Sequence, residues 1–422
     1  MTYRLRHHSS RNFSVYFPVD IGGNDRGNLF TIIIGPNGSG KSRLLADIAE
    51  NTLTTQASIH LFEEFRRPEA VLAISNMVHD RFPMSSSKDS GYIYLGVRQA
   101  SNMVTSGVWG DEIHAGLARL ALNPERALDI RPALNLLGLT TDGEVQIARA
   151  PRARDQWRLK RGRLEREWDQ NVAGHFEMVV DNLLMLLPTA KRKDKGYLED
   201  LPSWAPLGVL ENFAHHSEID PLVLLEICLQ SKLLYLRQVF LKGDKPVLPW
   251  DLSSGEQLVL SNVMRILGNV QPESLVLIDE PETGLHPAWQ SRFIPLLESM
   301  IPQDYGCHFI MATHSPHIVV EGAQLVVPGE YQGEFETFQG EIEGRSVEEV
   351  LYQAFEARTP RNHQVERDLA LIIRSIKSPS LRRNRVKEIR AARVRLEGIA
   401  GFDTPEVNSI LAQVREIATG EQ

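Results

Sequence analysis

An apolar, β-branched run of six residues, Leu29-Phe30-Thr31-Ile32-Ile33-Ile34, ends abruptly in Gly35-Pro36-Asn37-Gly38-Ser39-Gly40-Lys41-Ser42. The next residues, Arg43-Leu44-Leu45-Ala46-Asp47-Ile48-Ala49, carry helical spacing. Strand, glycine-rich loop and helix in that order, with Gly-x-x-x-x-Gly-Lys-Ser at the junction, is the phosphate-binding P-loop pattern. Glycines let the backbone curl so that successive N–H groups of residues such as Asn37, Gly38, Ser39 and Gly40 point inward at a polyphosphate. The helix N-terminus adds its partial positive charge. Lys41 reaches the outer phosphates, and the Ser42 hydroxyl is placed to ligate Mg²⁺. A nucleotide site is therefore expected.

The rest of the composition narrows the setting. A chain of 422 residues exceeds one typical core, so two or more lobes are expected. No apolar run approaches the ~20 residues that span a bilayer, and the N-terminus lacks the apolar segment of a secretion signal. Cys228 and Cys307 are the only cysteines, too few for a disulfide framework or a zinc cluster. Together these predict a cytoplasmic protein without a membrane partner. A net charge of −8 argues against wholesale coating of nucleic acid, while leaving room for a local basic surface.

A second stretch completes the chemistry. Leu275-Val276-Leu277-Ile278-Asp279-Glu280 reads as a buried parallel strand ending in two carboxylates. Asp279 is placed to meet the Mg²⁺ held by Ser42, and Glu280 to orient or deprotonate an attacking water. Upstream, Leu252-Ser253-Ser254-Gly255-Glu256 leads into a helix of apolar period, with a serine as N-cap and an acid in the first turn. Downstream, the apolar run His308-Phe309-Ile310-Met311-Ala312 ends in Thr313-His314-Ser315-Pro316.

The order of these motifs resembles the ABC ATPases, whose signature reads Leu-Ser-Gly-Gly-Gln. Residues 252–256 match it with Ser254 for the first Gly and Glu256 for Gln. The resemblance implies that Ser253, Ser254, Gly255 and Glu256 of one protomer contact the γ-phosphate held by another, so that ATP drives dimerisation of the heads, with a higher oligomer left open. It also implies that His314 is the switch histidine on the γ-phosphate. Gln99, just past the strand-like Tyr92-Ile93-Tyr94-Leu95-Gly96-Val97, is the candidate glutamine that senses Mg²⁺. Glu280 is followed by Pro281-Glu282-Thr283-Gly284-Leu285-His286-Pro287. That form is similar to the RecF/OLD-like (AAA_21-like) branch rather than to transporter ATPases, and His286 is read as a contact across the dimer rather than as a base or metal ligand.

The expected fold class is α/β, a P-loop NTPase of ABC head type: a mixed sheet flanked by helices, with a mostly helical insertion lobe and a helical C-terminal region. The division is 1–109 and 246–340 for the two halves of the head, 110–245 for the insertion, and 341–422 for the basic C-terminal region. Phe13, Val15 and Phe17 fall in short strands beside the P-loop strand, where an aromatic serves the core or an adenine stack. Within the insertion, helices are expected over 124–139 and 176–187 and a short strand at 143–148. Charge-dense stretches at 152–168 and 191–195 are solvated faces or contacts to a phosphate backbone or partner. Two strands are expected over 323–338 and a helix over 345–357. From 361 to 395 there are 11 Lys and Arg against Glu366, Asp368 and Glu388, a solvated helical face or a surface for DNA or an acidic partner.

Overall the chain is similar to the ATPase subunits of bacterial anti-phage systems of the Septu, retron-associated or PARIS type. The implied function is a slow ATPase that dimerises on ATP, senses DNA or infection, and controls a separately encoded effector nuclease or toxin. No acidic Glu…Asp-x-Asp group follows His314, so a nuclease would have to be a partner chain. The alternatives are a RecF- or SMC-like ATPase of DNA repair and chromosome maintenance, and an ATP-gated scaffold with little turnover.

Overall fold

The computed structural model describes residues 3–17, 27–53, 67–84, 91–98, 108–157, 170–190, 204–320, 322–329, 331–338, 368–369, 371–374 and 385–399. Its strands are β1 (His7–Ser9), β2 (Ser14–Tyr16), β3 (Leu29–Ile34), β4 (Val71–Ser75), β5 (Tyr92–Tyr94), β6 (Leu139–Arg149), β7 (Ala205–Pro206), β8 (Leu234–Lys242), β9 (Lys245–Val247), β10 (Leu275–Asp279), β11 (His308–Thr313), β12 (Gln324–Pro328) and β13 (Glu334–Thr337). The helices are α1 (Lys41–Leu53), α2 (Val108–Ala121), α3 (Arg131–Leu137), α4 (Gln170–Leu186), α5 (Gly208–His216), α6 (Pro221–Gln230), α7 (Ser254–Leu267), α8 (Pro287–Gln290), α9 (Phe293–Met300) and α10 (Val386–Ile399).

Nine strands form one mixed sheet in the order β1-β2-β13-β12-β3-β11-β10-β4-β5. From β12 to β5 every neighbouring pair is parallel, as is β13 with β2, while β12–β13 and β1–β2 are antiparallel. One strand, β11, therefore lies between the P-loop strand β3 and the acidic strand β10. Alternation of side chains across the strands splits the apolar residues between two faces. Ile33, Val71, Leu275, Leu277 and Ile310 meet Leu44, Leu45 and Ile48 of α1 on one side. Ile32, Leu72, Val276, Ile278 and Phe309 meet Val259, Val263 and Leu297 of α7 and α9 on the other. Strands covered on both faces must read as unbroken apolar runs, and Ile32, Ile33 and Ile34 are each fully buried.

Among the described residues of the insertion, helical residues outnumber strand residues, and a four-stranded antiparallel sheet, β7-β6-β8-β9, runs through it. The short strand expected at 143–148 is the end of the eleven-residue β6. The helix expected over 124–139 is confined to α3, because Pro124 opens a single 3-10 turn and Ala127 takes a left-handed φ of 52° that breaks the helix. The apolar cluster on the α7 side of the head continues into the insertion through Phe240, Val145, Leu183 and Leu236. The apolar core of the head is thus continuous with that of the insertion.

At the C-terminus, Arg395 on α10 makes two hydrogen bonds of 2.9 Å to buried Asp368. Arg385 and Arg393 pair with Glu388 and Glu397 along the same region. Part of the basic balance of 361–395 is thus matched internally. The expected helix at 345–357, Gln99, and the basic residues at 158–168 and 191–195 lie outside the described residues. Among those described, no helix is long and apolar enough to cross a membrane.

Candidate nucleotide site

Ligands of open α/β sheets collect at the carboxyl ends of the strands, and three such ends converge here. Ile34 of β3 is in register with Thr313 of β11, and Asp279 of β10 with Ala312 of β11 and Ser75 of β4. Gly35, Glu280 and His314 are each the first residue past one of these ends.

In the loop, Gly38 and Gly40 take φ values of +85° and +101°, which side chains rarely adopt. The curl so produced hands over to α1 at Lys41. A Cβ on Gly40 would stand 3.5 Å from Phe13 Cε1 and 3.9 Å from Phe335 Cζ. Phe13 therefore borders the loop, while Val15 and Phe17 belong to the core. Buried Lys41 donates from Nζ to Gly35 O at 2.8 Å and Pro36 O at 3.0 Å. Burial pulls its pKa down, and the carboxylates of Glu280, Glu282 and Asp279 act against that.

Ser42 Oγ donates to Asp279 Oδ1 at 2.9 Å, joining the P-loop helix to the acidic strand as the sequence predicts. Burial pushes the Asp279 carboxyl up to about 7; the bond from Ser42 resists, and Glu280, Asp80 and Glu282 push it further up. A carboxylate crowded by carboxylates, beside a hydroxyl and short of positive charge, suits a hard divalent cation that takes oxygen ligands. Ser39 Oγ is buried in the loop without a hydrogen-bond partner, a deficit that a phosphate oxygen would fill. Ser39, Ser42 and Asp279 together fit a magnesium-bound polyphosphate.

Glu280 has a φ of +49°, a left-handed conformation that is strained for a residue with a side chain. Its N–H donates to Ala312 O at 2.8 Å, and Thr283 Oγ1 donates to its Oε2 at 3.3 Å. The turn carries the chain out of the sheet and sends the carboxylate towards His314, whose Nδ1 is 3.8 Å from Glu280 Oε1. His314 is 44% exposed at the side chain, accessible to a ligand.

Sequence reasoning passed over Glu282. Its side chain is buried, and Oε1 gathers Thr313 Oγ1 at 2.6 Å, His314 N at 2.9 Å, Ser315 N at 3.2 Å and His314 Nδ1 at 3.1 Å. Oε2 is buried without a partner. Ser315 Oγ continues the network to Gln290 Oε1 at 2.6 Å. The signal available in the sequence was a third acid directly after Asp279-Glu280-Pro281. Asp80 was missed as well. It accepts from Tyr94 Oη at 2.6 Å and pairs with Arg98 at 3.4 Å, so the residue before Gln99 is anchored near the acidic strand.

The signature turn is a helix N-terminus. Ser253 caps α7 in an extended conformation, and the Ser253–Glu256 capping box is closed in both directions. Glu256 Oε2 accepts from Ser253 N at 2.9 Å and Ser253 Oγ at 2.7 Å. A Cβ on Gly255 would fall 2.6 Å from Trp289 Cζ3, so the indole of α8 approaches the turn only because no side chain is there. His286 caps α8, its Nδ1 accepting from Ala288 N at 3.2 Å. Among the described residues, no hydrogen bond or ion pair connects residues 253–256 to the P-loop of the same chain.

A parallel sheet with one strand between the P-loop strand and the acidic strand, a histidine just past that middle strand, and a capped helix N-terminus upstream give a P-loop NTPase fold of ABC head type. The chain belongs to the AAA_21 family, described as "AAA domain, putative AbiEii toxin, Type IV TA system", which matches residues 87–321. Three relatives share shorter stretches. Protein ea59 of Escherichia phage lambda is 41% identical over 70 residues, 17% of this chain and 13% of that protein. Septu protein PtuA of Bacillus thuringiensis is 34% identical over 99 residues, 21% of this chain and 24% of that protein. The Retron Vc95 probable ATPase of Vibrio cholerae serotype O1 biovar El Tor is 27% identical over 157 residues, 34% of this chain and 30% of that protein. The matched stretches thus span less than a third of each relative.

Proposed function

We propose that the chain is an ATP-hydrolysing head that pairs with a second copy around ATP, and that this pairing controls a separately encoded effector nuclease or toxin in defence against phage. Lys41 and the loop amides bind the phosphates, Glu280 holds the attacking water and takes its proton, and His314 contacts the γ-phosphate. Magnesium, held by Ser42 Oγ and Asp279, supplies charge neutralisation on the phosphate oxygens when bound. The observation that carries the dimer reading is the signature turn. It is a preformed helix N-terminus suited to an anion, and among the described residues it makes no hydrogen bond or ion pair to the P-loop of its own chain. The likeness to PtuA and to a retron ATPase supports the defence role.

Glu280→Gln, which on this reading should bind ATP without hydrolysing it, tests the pairing. With ATP and Mg²⁺ it sediments as a dimer, and with ADP, or when combined with Lys41→Ala, as a monomer. A monomer at saturating ATP sinks the composite site. The defence role is read by phage plating on cells carrying the native operon. Lys41→Ala abolishes protection there, and pull-down of the chain recovers a nuclease or toxin encoded beside it. Undiminished protection, or recovery of no such partner, rejects that role.

A further inference from the structure

Lys242 is the last residue of β8, and its Nζ lies 2.6 Å from Glu256 Oε1. The other oxygen of the same carboxylate holds both the N–H and the hydroxyl of Ser253. One acid therefore links a strand of the insertion to the first residue of the signature turn. Glu256 keeps 13% of its side-chain exposure and Lys242 keeps 48%. Burial alone would raise the Glu256 carboxyl, but the bonds from Lys242 and Ser253 outweigh it and hold the group below its ordinary range. It is charged at neutral pH.

That charge stands where the resembling signature carries a neutral glutamine, at the mouth of a site meant for polyphosphate. A helix N-terminus contributes roughly +0.5 of a charge, which a full carboxylate more than cancels. With Lys242 added, the local sign returns to positive. We propose that Lys242 neutralises Glu256 so that the signature turn can accept the triphosphate of a second copy, making a strand of the insertion a positioning element for ATP-driven pairing. The inference rests on the composite-site reading above. An ion pair this exposed at the lysine contributes little to folding, so its effect falls on ATP rather than on stability.

The test uses the full chain carrying Glu280→Gln and reads the ATP concentration at half-maximal dimer by sedimentation, with the thermal midpoint as a check on folding. Lys242→Ala raises that concentration about tenfold, as expected for loss of a near-surface charge pair. Lys242→Glu raises it further, and Lys242→Arg leaves it near the parent. Adding Glu256→Gln to Lys242→Ala returns it to within about twofold of the parent, because the charge needing compensation has gone. An unchanged concentration in Lys242→Ala overturns the proposal. So does a double variant as impaired as Lys242→Ala, which would assign Lys242 to direct phosphate contact or to folding. If the Glu280→Gln parent itself stays monomeric, the composite-site reading falls and this inference falls with it. If the parent pairs and only these variants disobey, the inference alone is lost.

Discussion

Glu282 Oε1 lies 3.1 Å from His314 Nδ1, and it also holds the hydroxyl of Thr313 and the backbone N–H groups of His314 and Ser315. A single buried oxygen thus fixes both the path of the chain past β11 and the orientation of the imidazole. A proton shared between Nδ1 and this carboxylate leaves Nε2 to face a ligand, so Glu282 sets the tautomer as well. Glu282→Gln keeps the size and loses the charge. It should lower kcat by about tenfold to a hundredfold, in line with other carboxylates that orient functional imidazoles, while KM for ATP stays within about threefold. Glu282→Ala removes an acceptor shared by four donors, of which Ser315 N keeps a bond to Thr313 Oγ1 at 2.9 Å, and should cost about 2 to 4 kcal/mol in urea unfolding. An unchanged kcat in Glu282→Gln would reduce the residue to a structural clamp.

Asp279 makes a prediction about pH. Its carboxyl is pushed up to about 7 in the folded state from an ordinary 3.8. The native state therefore binds this proton more tightly than the unfolded chain does. Between these two values stability falls as pH rises, and above about 7 the whole penalty applies, up to about 4 kcal/mol. Asp279→Asn removes it. Without nucleotide, the variant should melt above the parent at pH 8, and the difference should shrink steadily towards pH 4, vanishing only below the ordinary carboxylate value. Mg²⁺ with ATP should raise the parent's melting temperature and leave the variant's nearly unmoved. A variant less stable than its parent at pH 8 would contradict this account.

The head was legible where chemistry demands fixed residues in fixed order. The P-loop, Asp279, Glu280, the signature turn and His314 all fall at strand or helix ends in the expected succession. What escaped depends on distance in the chain. The run Val71-Leu72-Ala73-Ile74-Ser75 is a core strand, β4, with no alternation to announce it, because β10 and β5 enclose it and both its faces are covered. β8 alternates well, with Leu234, Leu236 and Phe240 inward, but polar Gln238 also points inward. Its Nε2 donates to Val239 O at 2.9 Å and to Asp142 O and Gly143 O at 3.3 Å, beside the register shift in β6. A buried glutamine satisfying an irregular strand nearly a hundred positions earlier leaves no local trace. Glu282 has the same character. Its partners are near in space through β11 and distant in sequence.

Gly255 and Trp289 give a prediction about the signature turn. A methyl group at 255 would fall 2.6 Å from the indole, so Gly255→Ala must displace Trp289 or the turn. Such overpacking costs about 1 to 3 kcal/mol. The variant should melt lower and pair more weakly with ATP. Trp289→Leu should be milder alone and should restore most of the stability of Gly255→Ala, a coupling that unfolding of the four proteins measures. Additive losses would show that the glycine serves the ligand rather than the tryptophan.

Arg265, in the last turn of α7, is the largest polar side chain fully enclosed among the described residues, 1% exposed. Its guanidinium donates to Leu95 O and Asn76 Oδ1, each at 2.5 Å, to Ser75 O at 3.3 Å, and to Asn262 Oδ1. These acceptors are carbonyl and amide oxygens, and burial draws its pKa down to about 10. Arg265 therefore ties the signature helix to the carboxyl ends of β4 and β5, beside the anchored Arg98. Desolvating the cation is costly, so an apolar replacement could in principle be neutral. Here it would leave the Ser75 and Leu95 carbonyls at the strand ends without this donor, and that deficit decides the sign. Arg265→Met should lose about 2 to 4 kcal/mol. Arg265→Lys should recover only part of it, since one ammonium cannot reproduce the planar fork. Hydrogen exchange should then rise at residues 75, 76 and 95 more than in the P-loop helix α1. Uniform exchange across both would mean that the arginine stabilises the whole head without tying these elements together.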